Sequence, residues 1–194
     1  FLIIAMTLKK ENPKRSKFNK IGLFVSTSYL LLTLIFKWIS FQEFKEGLQN
    51  QEIDYVEMDT KPSPLNAILW SSLIETDNGY RTAYYSLFDK KEISYSKEFL
   101  KNHHLLKPYL EQKIVQQLIN ISAGWYRIEK ENGKLLFWDL RFGQMGMDVD
   151  TASFLWYYEL SIDESGHISA SKKQPKIKNM SRIFSSLFNR VKGN

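Results

Sequence analysis

The chain of 194 residues has room for one domain of ordinary size and little more. It contains no cysteine, which excludes a disulfide framework, a cysteine-ligated zinc site and a thiol nucleophile. The net charge of +6 does not indicate a nucleic-acid partner, because residues 1–40 carry all of the excess and residues 41–171 have a net charge of −7.

The first twenty residues are predicted to contain the end of a transmembrane helix, residues 1–8, followed by a cytoplasmic loop, residues 9–20. Residues 1–8 are apolar and do not begin with an initiator methionine, so we expect them to be the end of a preceding transmembrane helix. The chain is then expected to be the C-terminal part of a longer polytopic protein. Residues 9–20 form a basic loop, which the positive-inside rule places in the cytoplasm.

Residues 21–40 are predicted to form a transmembrane helix. Residues 21–36 contain no charge, and the apolar character continues through Trp38, which gives roughly the 20 residues needed to cross a hydrocarbon core of ~30 Å. A buried core helix is the alternative, but no other predicted element is apolar enough to surround it. A signal peptide would show a small-residue cleavage site, which is missing here. The chain therefore crosses outward, and residues from about 41 onward are expected outside the cytoplasm.

Residues 41–171 are predicted to form an extracytoplasmic α+β domain. Asn78-Gly79 and Asn132-Gly133 each separate two β-rich runs, and Asn-Gly predicts a tight hairpin because both residues accept positive φ angles. Apolar residues at helical spacing predict one amphipathic helix within residues 107–122. The simplest fold is an antiparallel sheet with one or two packed amphipathic helices. The predicted strands cover residues 52–58, 66–75, 80–88, 124–130, 134–142 and 153–163.

The tail, residues 172–194, is predicted to be a basic amphipathic helix. No acidic residue follows Glu164, and the tail has a net charge of +7. Two arrangements are open: the helix covers the sheet, or it lies on an anionic membrane surface. Packing on the sheet is favoured, because the domain of charge −7 would attract it.

Four stretches of residues 1–163 resemble, in order, the C-terminal portion of the bacterial membrane-bound metal-dependent hydrolases, a group that includes the LexA-regulated inner-membrane hydrolases. These stretches are PSPLNAILW (62–70), GYRTAYYSLFD (79–89), GWYRIEKENGKLLFWDLRFG (124–143) and FLWYYEL (154–160). The resemblance implies a protein of the bacterial inner membrane with a periplasmic domain. It also implies a divalent-metal site rich in His and Asp in the N-terminal membrane region of the parent protein, upstream of this sequence.

No catalytic residue, cofactor or metal ligand is carried over onto this sequence by the resemblance. The implied partners are membrane lipid and the upstream transmembrane helices of the same protein. The expected function is that of an accessory or substrate-positioning domain, together with the last transmembrane helix, of a hydrolase whose metal site lies upstream. A non-enzymatic envelope module that binds a ligand or a protein is the alternative.

The residues singled out by the motifs divide into two groups. Those expected to have a structural or family-defining role are Pro64, Asn66, Trp70, Tyr85, Asp89, Gly124, Asp139, Arg141 and Gly143. Aromatic residues on antiparallel strands favour cross-strand packing, and a ligand groove is the alternative. The aromatics that would face a ligand are Tyr84, Trp125, Tyr126 and Trp138.

The stretch LFWDLRFG (136–143) contains an acid and a base two residues apart. Strand alternation places Asp139 and Arg141 on the same face, where they pair with each other or with Glu159 and Arg127 on adjacent strands. A carboxylate beside a guanidinium stays ionised and is a poor general acid, so a structural pair is predicted. The adjacent His103 and His104 do not converge on a metal, so no metal site is predicted in this sequence.

Overall fold

The computed structural model describes residues 12–150, 153–175 and 180–193. The chain divides into two compact units, residues 1–39 and residues 40–194, and the second is called the body below. The predicted end of a preceding transmembrane helix, residues 1–8, lies outside the described residues, as do residues 9–11 of the predicted basic loop.

Helix α1 runs from Pro13 to Asn50, so the basic residues 14–20 are helical and occupy its first turns. The apolar side chains of its first half, such as Phe24 and Leu34, are exposed, and no residue of its most apolar stretch is buried. A core helix would bury such a surface. The prediction of an N-terminal helix long and apolar enough to span a membrane is confirmed.

The first sheet of the body contains strands β1 to β4 in sequential antiparallel order. Their bounds are Glu57–Pro62, Leu69–Glu75, Gly79–Ser86 and Phe99–Leu100. The last turns of α1 pack on this sheet, because Phe44 is fully buried with its ring centroid 6.1 Å from that of Tyr85. The backbone carbonyl of Phe44 also accepts a hydrogen bond of 2.7 Å from the Tyr95 hydroxyl.

The second sheet contains strands β5 to β8, again in sequential antiparallel order. Their bounds are Tyr126–Glu131, Lys134–Met145, Ser153–Ile162 and Ile168–Lys173. Both predicted hairpins are present, but Asn78 and Gly79 of the β2–β3 turn do not have the positive φ angles on which the prediction was based. At the β5–β6 turn, Asn132 and Gly133 have φ angles of 49° and 79°, as a two-residue turn with positive φ at both positions requires.

A 3₁₀ helix (His103–Tyr109) and helix α2 (Lys113–Ile121) cover one face of the second sheet. They form its core with the side chains of Leu106, Val115, Leu118, Ile128, Leu135, Phe137 and Leu160. The predicted continuous helix over 107–122 is interrupted because Gln112 is extended, with φ −76° and ψ 128°. Its side chain donates to the Gly166 carbonyl and accepts from the Ile168 amide, both at 2.7 Å, so contact with β8 interrupts the helix.

The α+β fold class is confirmed, but the strands form two four-stranded sheets instead of one. The segment 101–125, with its two helices, separates β4 from β5 along the chain. The first strand runs from Glu57 to Pro62 instead of 52–58, since the turn after α1 occupies residues 51–52. Strand β8 was not predicted, because its sequence ISASKK is mostly polar and lies at the edge of the sheet.

Helix α3, Met180–Val191, packs on the first sheet, which confirms the arrangement favoured for the tail. Leu187 is buried with Leu69 and Tyr84. The Arg190 guanidinium donates to the Asp89 carboxylate at 2.5 and 2.6 Å and to the Tyr84 carbonyl at 2.9 Å. The start of the predicted tail differs, because residues 172–173 belong to β8, and residues 176–179 and 194 lie outside the described residues.

We expect Leu187→Ala to lower the free energy of unfolding by about 3 kcal/mol, because it removes a buried leucine and leaves a cavity. The matched control is Phe188→Ala at the next, exposed position, where a change within about 0.5 kcal/mol is expected. Chemical denaturation of the detergent-solubilised full chain, followed by tryptophan fluorescence, measures both. Equal losses for the two variants would show that α3 does not pack through Leu187.

Candidate functional site: a cavity between the two sheets

A cavity of about 180 Å³ lies in the body between the first sheet and residues 140–144 of β6. Apolar atoms of Leu73, Ala83 and Leu140 form part of its wall. Its polar, uncharged lining residues are Ser63, Ser71, Ser72, Thr82, Tyr84 and Gln144. At ~30 Å³ per molecule in liquid water, the volume corresponds to roughly six waters or one small organic group.

A β-bulge in β6 forms the side of the cavity that belongs to the second sheet. Pairing between β6 and β7 is regular up to Asp139 opposite Trp156 and resumes at Gln144 opposite Phe154. Residues 140–143 therefore lie opposite a single residue of β7, and Gly143 takes a positive φ of 72°. Bulges of this kind bend a strand locally and redirect its side chains. Here the bulge carries Leu140, Arg141 and Phe142 to the cavity.

The loop between β1 and β2 forms the opposite side, and Asn66 fixes its conformation. The Asn66 side chain accepts hydrogen bonds from the amides of Ile68 (3.0 Å) and Leu69 (2.7 Å) and donates to the Pro64 carbonyl at 3.1 Å. Ser63, held in this loop, is only 4% exposed, and its hydroxyl has no hydrogen-bond partner among the described residues. Burying an unpaired hydroxyl costs about 1–3 kcal/mol. Because the Ser63 hydroxyl oxygen has almost no accessible surface, a ligand or water oxygen in the cavity would recover this cost only after the Ser63 side chain turns toward it.

The other polar groups of the cavity are paired within the protein. The Thr82 hydroxyl donates to the Gln144 side-chain oxygen at 2.8 Å and so connects β3 with β6. The Tyr84 hydroxyl donates to the Gly146 carbonyl at 3.1 Å. Burial raises the pKa of Tyr84 to about 12, so its phenol is neutral at physiological pH. These groups shape the cavity but supply no base.

Two cations lie at the cavity, and each has an acidic partner. Lys61 forms an ion pair with Asp59 and donates to the Arg141 carbonyl at 3.2 Å. The Arg141 guanidinium donates to Asp139 at 3.0 and 2.7 Å, so the direct pairing of these two residues is confirmed. This hydrogen bonding raises the pKa of Arg141. The other candidate partners pair elsewhere: Glu159 with Lys134 at 2.8 Å, and Arg127 with Glu129 at 3.4 Å.

The described lining of the cavity combines apolar side chains, hydroxyl and amide groups, the Asp59–Lys61 ion pair and Arg141. No histidine lines it, and within the described residues no three His, Asp or Glu side chains lie close enough together to hold a metal ion. His103 has a structural role: its ring stacks on Tyr126 at 4.0 Å, and its Nε2 lies 2.7 Å from the Tyr126 carbonyl. Burial lowers the pKa of His103, which favours the neutral imidazole.

The cavity gathers four of the residues singled out in the sequence: Pro64, Tyr84, Arg141 and Gly143. Asn66 and Asp139 act next to it, the first by shaping the loop and the second by holding Arg141. Sequence reasoning missed Ser63, Thr82 and Gln144. The available signal was a set of hydroxyl-bearing residues at strand positions that alternation assigns to a buried face, such as Ser72 and Thr82.

The remaining predicted residues lie away from the cavity lining. The Trp70 indole donates to the Ala67 carbonyl at 3.1 Å, Tyr85 packs on Phe44, and Asp89 pairs with Arg190. The Gly124 carbonyl accepts a hydrogen bond of 3.1 Å from the Tyr80 hydroxyl.

The three other aromatics that were candidates for facing a ligand are packed against neighbouring rings. Trp125 lies 5.9 Å from the Tyr80 ring, and Trp138 lies 4.7 Å from Tyr157. Tyr126 is stacked between His103 and Phe137. Tyr84 is thus the member of this group that lines the cavity.

Comparisons of the chain with protein-family models, curated proteins and solved structures give no match. The cavity and the apolar helix are therefore the observations from which a function has to be argued. Both rest on described residues, and neither requires a relative for its interpretation.

We expect Asp139→Ala to lower the free energy of unfolding by about 2 kcal/mol, since it removes two charge-assisted hydrogen bonds to Arg141. The loss stays below that of a fully buried pair because the Arg141 side chain is 28% exposed and water can reach it. Asp139→Asn, which keeps the shape, should lose less. An Asp139→Ala and Arg141→Ala double variant that loses the sum of the two single effects would contradict direct coupling.

The pKa of His103 predicts a pH dependence of stability. Because the pKa is lower in the folded state than in the unfolded state, His103 contributes stability above the unfolded value of ~6.5, and this is lost as the pH falls below it. Denaturation between neutral and mildly acidic pH should show this decline, and His103→Phe should reduce it. The exposed neighbour supplies the control: an equal reduction in His104→Phe would assign the decline to other groups.

Proposed function

We propose that this chain is the membrane anchor and extracytoplasmic ligand-binding domain of a larger bacterial inner-membrane hydrolase. In this proposal the metal-dependent chemistry lies upstream, and the domain positions a substrate close to the membrane surface. The proposal draws on the motif resemblance for the hydrolase and on the geometry for the two parts described below.

Helix α1 supports the anchoring part of the proposal. Its uncharged run leaves large apolar side chains exposed along residues 21–36, which is favourable only in lipid or against another apolar surface. The basic residues 14–20 precede this run, so the positive-inside rule orients the body to the outside of the cytoplasm.

The cavity carries the ligand-binding part, and the buried, unpaired hydroxyl of Ser63 is the observation on which it rests. An unpaired buried hydroxyl lowers the stability of the folded protein. Binding cavities commonly contain polar groups of this kind, which lower stability in the absence of a ligand. The fitting ligand is a small group with an oxygen for Ser63 and an apolar side for Leu73 and Ala83. The cation of Arg141 at the lining also allows a negatively charged oxygen, although its Asp139 partner weakens that preference.

A second candidate function is a non-enzymatic envelope module that senses a ligand. The observation in its favour is that the described residues contain a cavity with no metal-ligating cluster, whose charged lining residues Asp59, Lys61 and Arg141 are held in ion pairs. The two candidates differ in what the upstream sequence holds. Clustered His and Asp residues on further transmembrane helices, with metal-dependent hydrolysis that is lost on filling the cavity at Ala83, would select the hydrolase.

The ligand-binding proposal predicts an unusual pair of effects for Ser63→Ala. The variant should be more stable than the natural chain by about 1 kcal/mol, because an unpaired buried hydroxyl is removed, yet it should lose stabilisation by ligand. Thermal unfolding of the full chain in detergent measures both, with glycerol and glycerol 3-phosphate as probes.

The control for this experiment is Ser122→Ala. Ser122 is fully buried, but its hydroxyl donates to the Ile119 carbonyl at 2.9 Å and lies outside the cavity. This variant should lose stability and keep the response to the probes. If neither probe stabilises the natural chain and Ser63→Ala is no more stable, the cavity is not a binding site for this class of ligand.

A further inference from the structure

A strip of basic and aromatic side chains leads from the cavity onto the second sheet. It is called the basic–aromatic strip below and consists of Lys61, Arg141, Phe142, Trp156 and Lys172. The first three of these residues also line the cavity. Phe142 is 56% exposed, so its ring is open to solvent at the edge of the cavity. An exposed ring in this position offers a contact to a ligand that extends out of the cavity.

Measured contacts join each member of the strip to the next. The Lys61 ammonium donates to the Arg141 carbonyl at 3.2 Å, and the Arg141 guanidinium lies 5.3 Å from the centroid of the Phe142 ring. The Phe142 and Trp156 rings meet edge to face, with their centroids 6.4 Å apart. The Lys172 ammonium lies 3.9 Å from the centroid of the Trp156 ring. The five side chains therefore form one continuous surface of the body.

The pairing of β7 with β8 brings Lys172 to this surface. Lys172 lies opposite Tyr158, and Trp156 is two residues before Tyr158, so alternation places all three on one face of the sheet. Lys173 lies opposite Tyr157 and belongs to the other face. Both lysines are exposed, so the two neighbours differ mainly in the face that they occupy.

The far end of the strip is open to solvent. The 3₁₀ helix and α2 pack on this face at Leu160 and Ile168, toward the opposite ends of β7 and β8. Beyond them Trp156 is partly exposed and Lys172 is exposed. A ligand can therefore reach the strip without displacing either helix.

Lys172 is the cation of the strip that has no acidic partner in the part of the chain that the structure describes. Lys61 pairs with Asp59, and Arg141 pairs with Asp139, so the charge of each is compensated. None of the ion pairs between described residues includes Lys172. A lysine ammonium is a point charge with three donors and commonly binds phosphate. Its charge is therefore available to an anionic group at the edge of the cavity.

We propose that the ligand of the cavity is a small hydroxylated molecule that carries a phosphate or carboxylate group, and that Lys172 binds this group. The hydroxyl and amide groups of the cavity suit the uncharged part of the ligand. The ligand then crosses the exposed ring of Phe142 to place its anionic oxygens at the ammonium. This inference rests on the ligand-binding part of the proposed function and names the class of ligand that the cavity takes.

Glycerol 3-phosphate, glycerol and inorganic phosphate test the proposal, because the first carries both parts of the ligand and the others carry one part each. Ligand-observed NMR titrations of the full chain in a nonionic detergent measure the Kd of each probe. We expect glycerol 3-phosphate to bind at least about tenfold more tightly than glycerol or inorganic phosphate.

Lys172→Ala should raise the Kd of glycerol 3-phosphate about tenfold and leave that of glycerol unchanged, because it removes the contact to the anionic group alone. Lys172→Arg keeps the charge and should retain most of the affinity. The matched control is Lys173→Ala, which removes the adjacent exposed lysine from the other face of β8. Its Kd for glycerol 3-phosphate should stay within about twofold of that of the natural chain.

Equal Kd values for glycerol 3-phosphate and glycerol overturn the anionic class of ligand and leave the cavity as a binding site. Equal effects of Lys172→Ala and Lys173→Ala overturn the role given to Lys172. Inorganic phosphate that binds as tightly as glycerol 3-phosphate also overturns the proposal, since the strip would then bind anions without the cavity. If none of the three probes binds, this inference fails; if Ser63→Ala is in addition no more stable than the natural chain, the proposed binding function fails with it.

Discussion

Strand β6 buries side chains on both of its faces, and the arrangement of the body depends on this constraint. On one face Leu135 and Phe137 pack beneath α2, and on the other Leu140 packs against Leu73 and Tyr80 of the first sheet. A shift of the register of such a strand by one residue would turn the side chains of each core toward the other core. The register of β6 is therefore fixed. At the bulge after Asp139, β6 changes from packing beneath α2 to packing against the first sheet. The cavity lies at this bulge.

Local chemistry allowed much of the fold to be predicted. The Asn-Gly turns, the alternation in β6 and the uncharged run of α1 each act over a few residues, and all of them are present in the structure. The Asp139–Arg141 pair belongs to the same class, since alternation alone brings two residues of one strand together.

The features that were missed depend on residues distant in sequence. The break before α2 is caused by bonds from Gln112 to β8, more than fifty residues away, and β8 itself is an edge strand without an apolar pattern. The cavity requires the bulge in β6 to face the loop around Ser63, and neither the bulge nor its partner has a sequence signature. Hence the four predicted residues that line it were recognised from motifs, while Ser63, Thr82 and Gln144 were not.

The ion pair between Asp89 and Arg190 joins positions 101 residues apart and closes the first sheet with a helix made much later in synthesis. Until α3 arrives, Leu69, Tyr84 and the Asp89 carboxylate lack the cover and the cation that they have in the finished domain. Because synthesis starts at the N-terminus, this part of the first sheet is made before the helix that covers it. Contacts of such long sequence separation slow folding, and until they form the apolar surface of the first sheet stays exposed to chaperones and to aggregation.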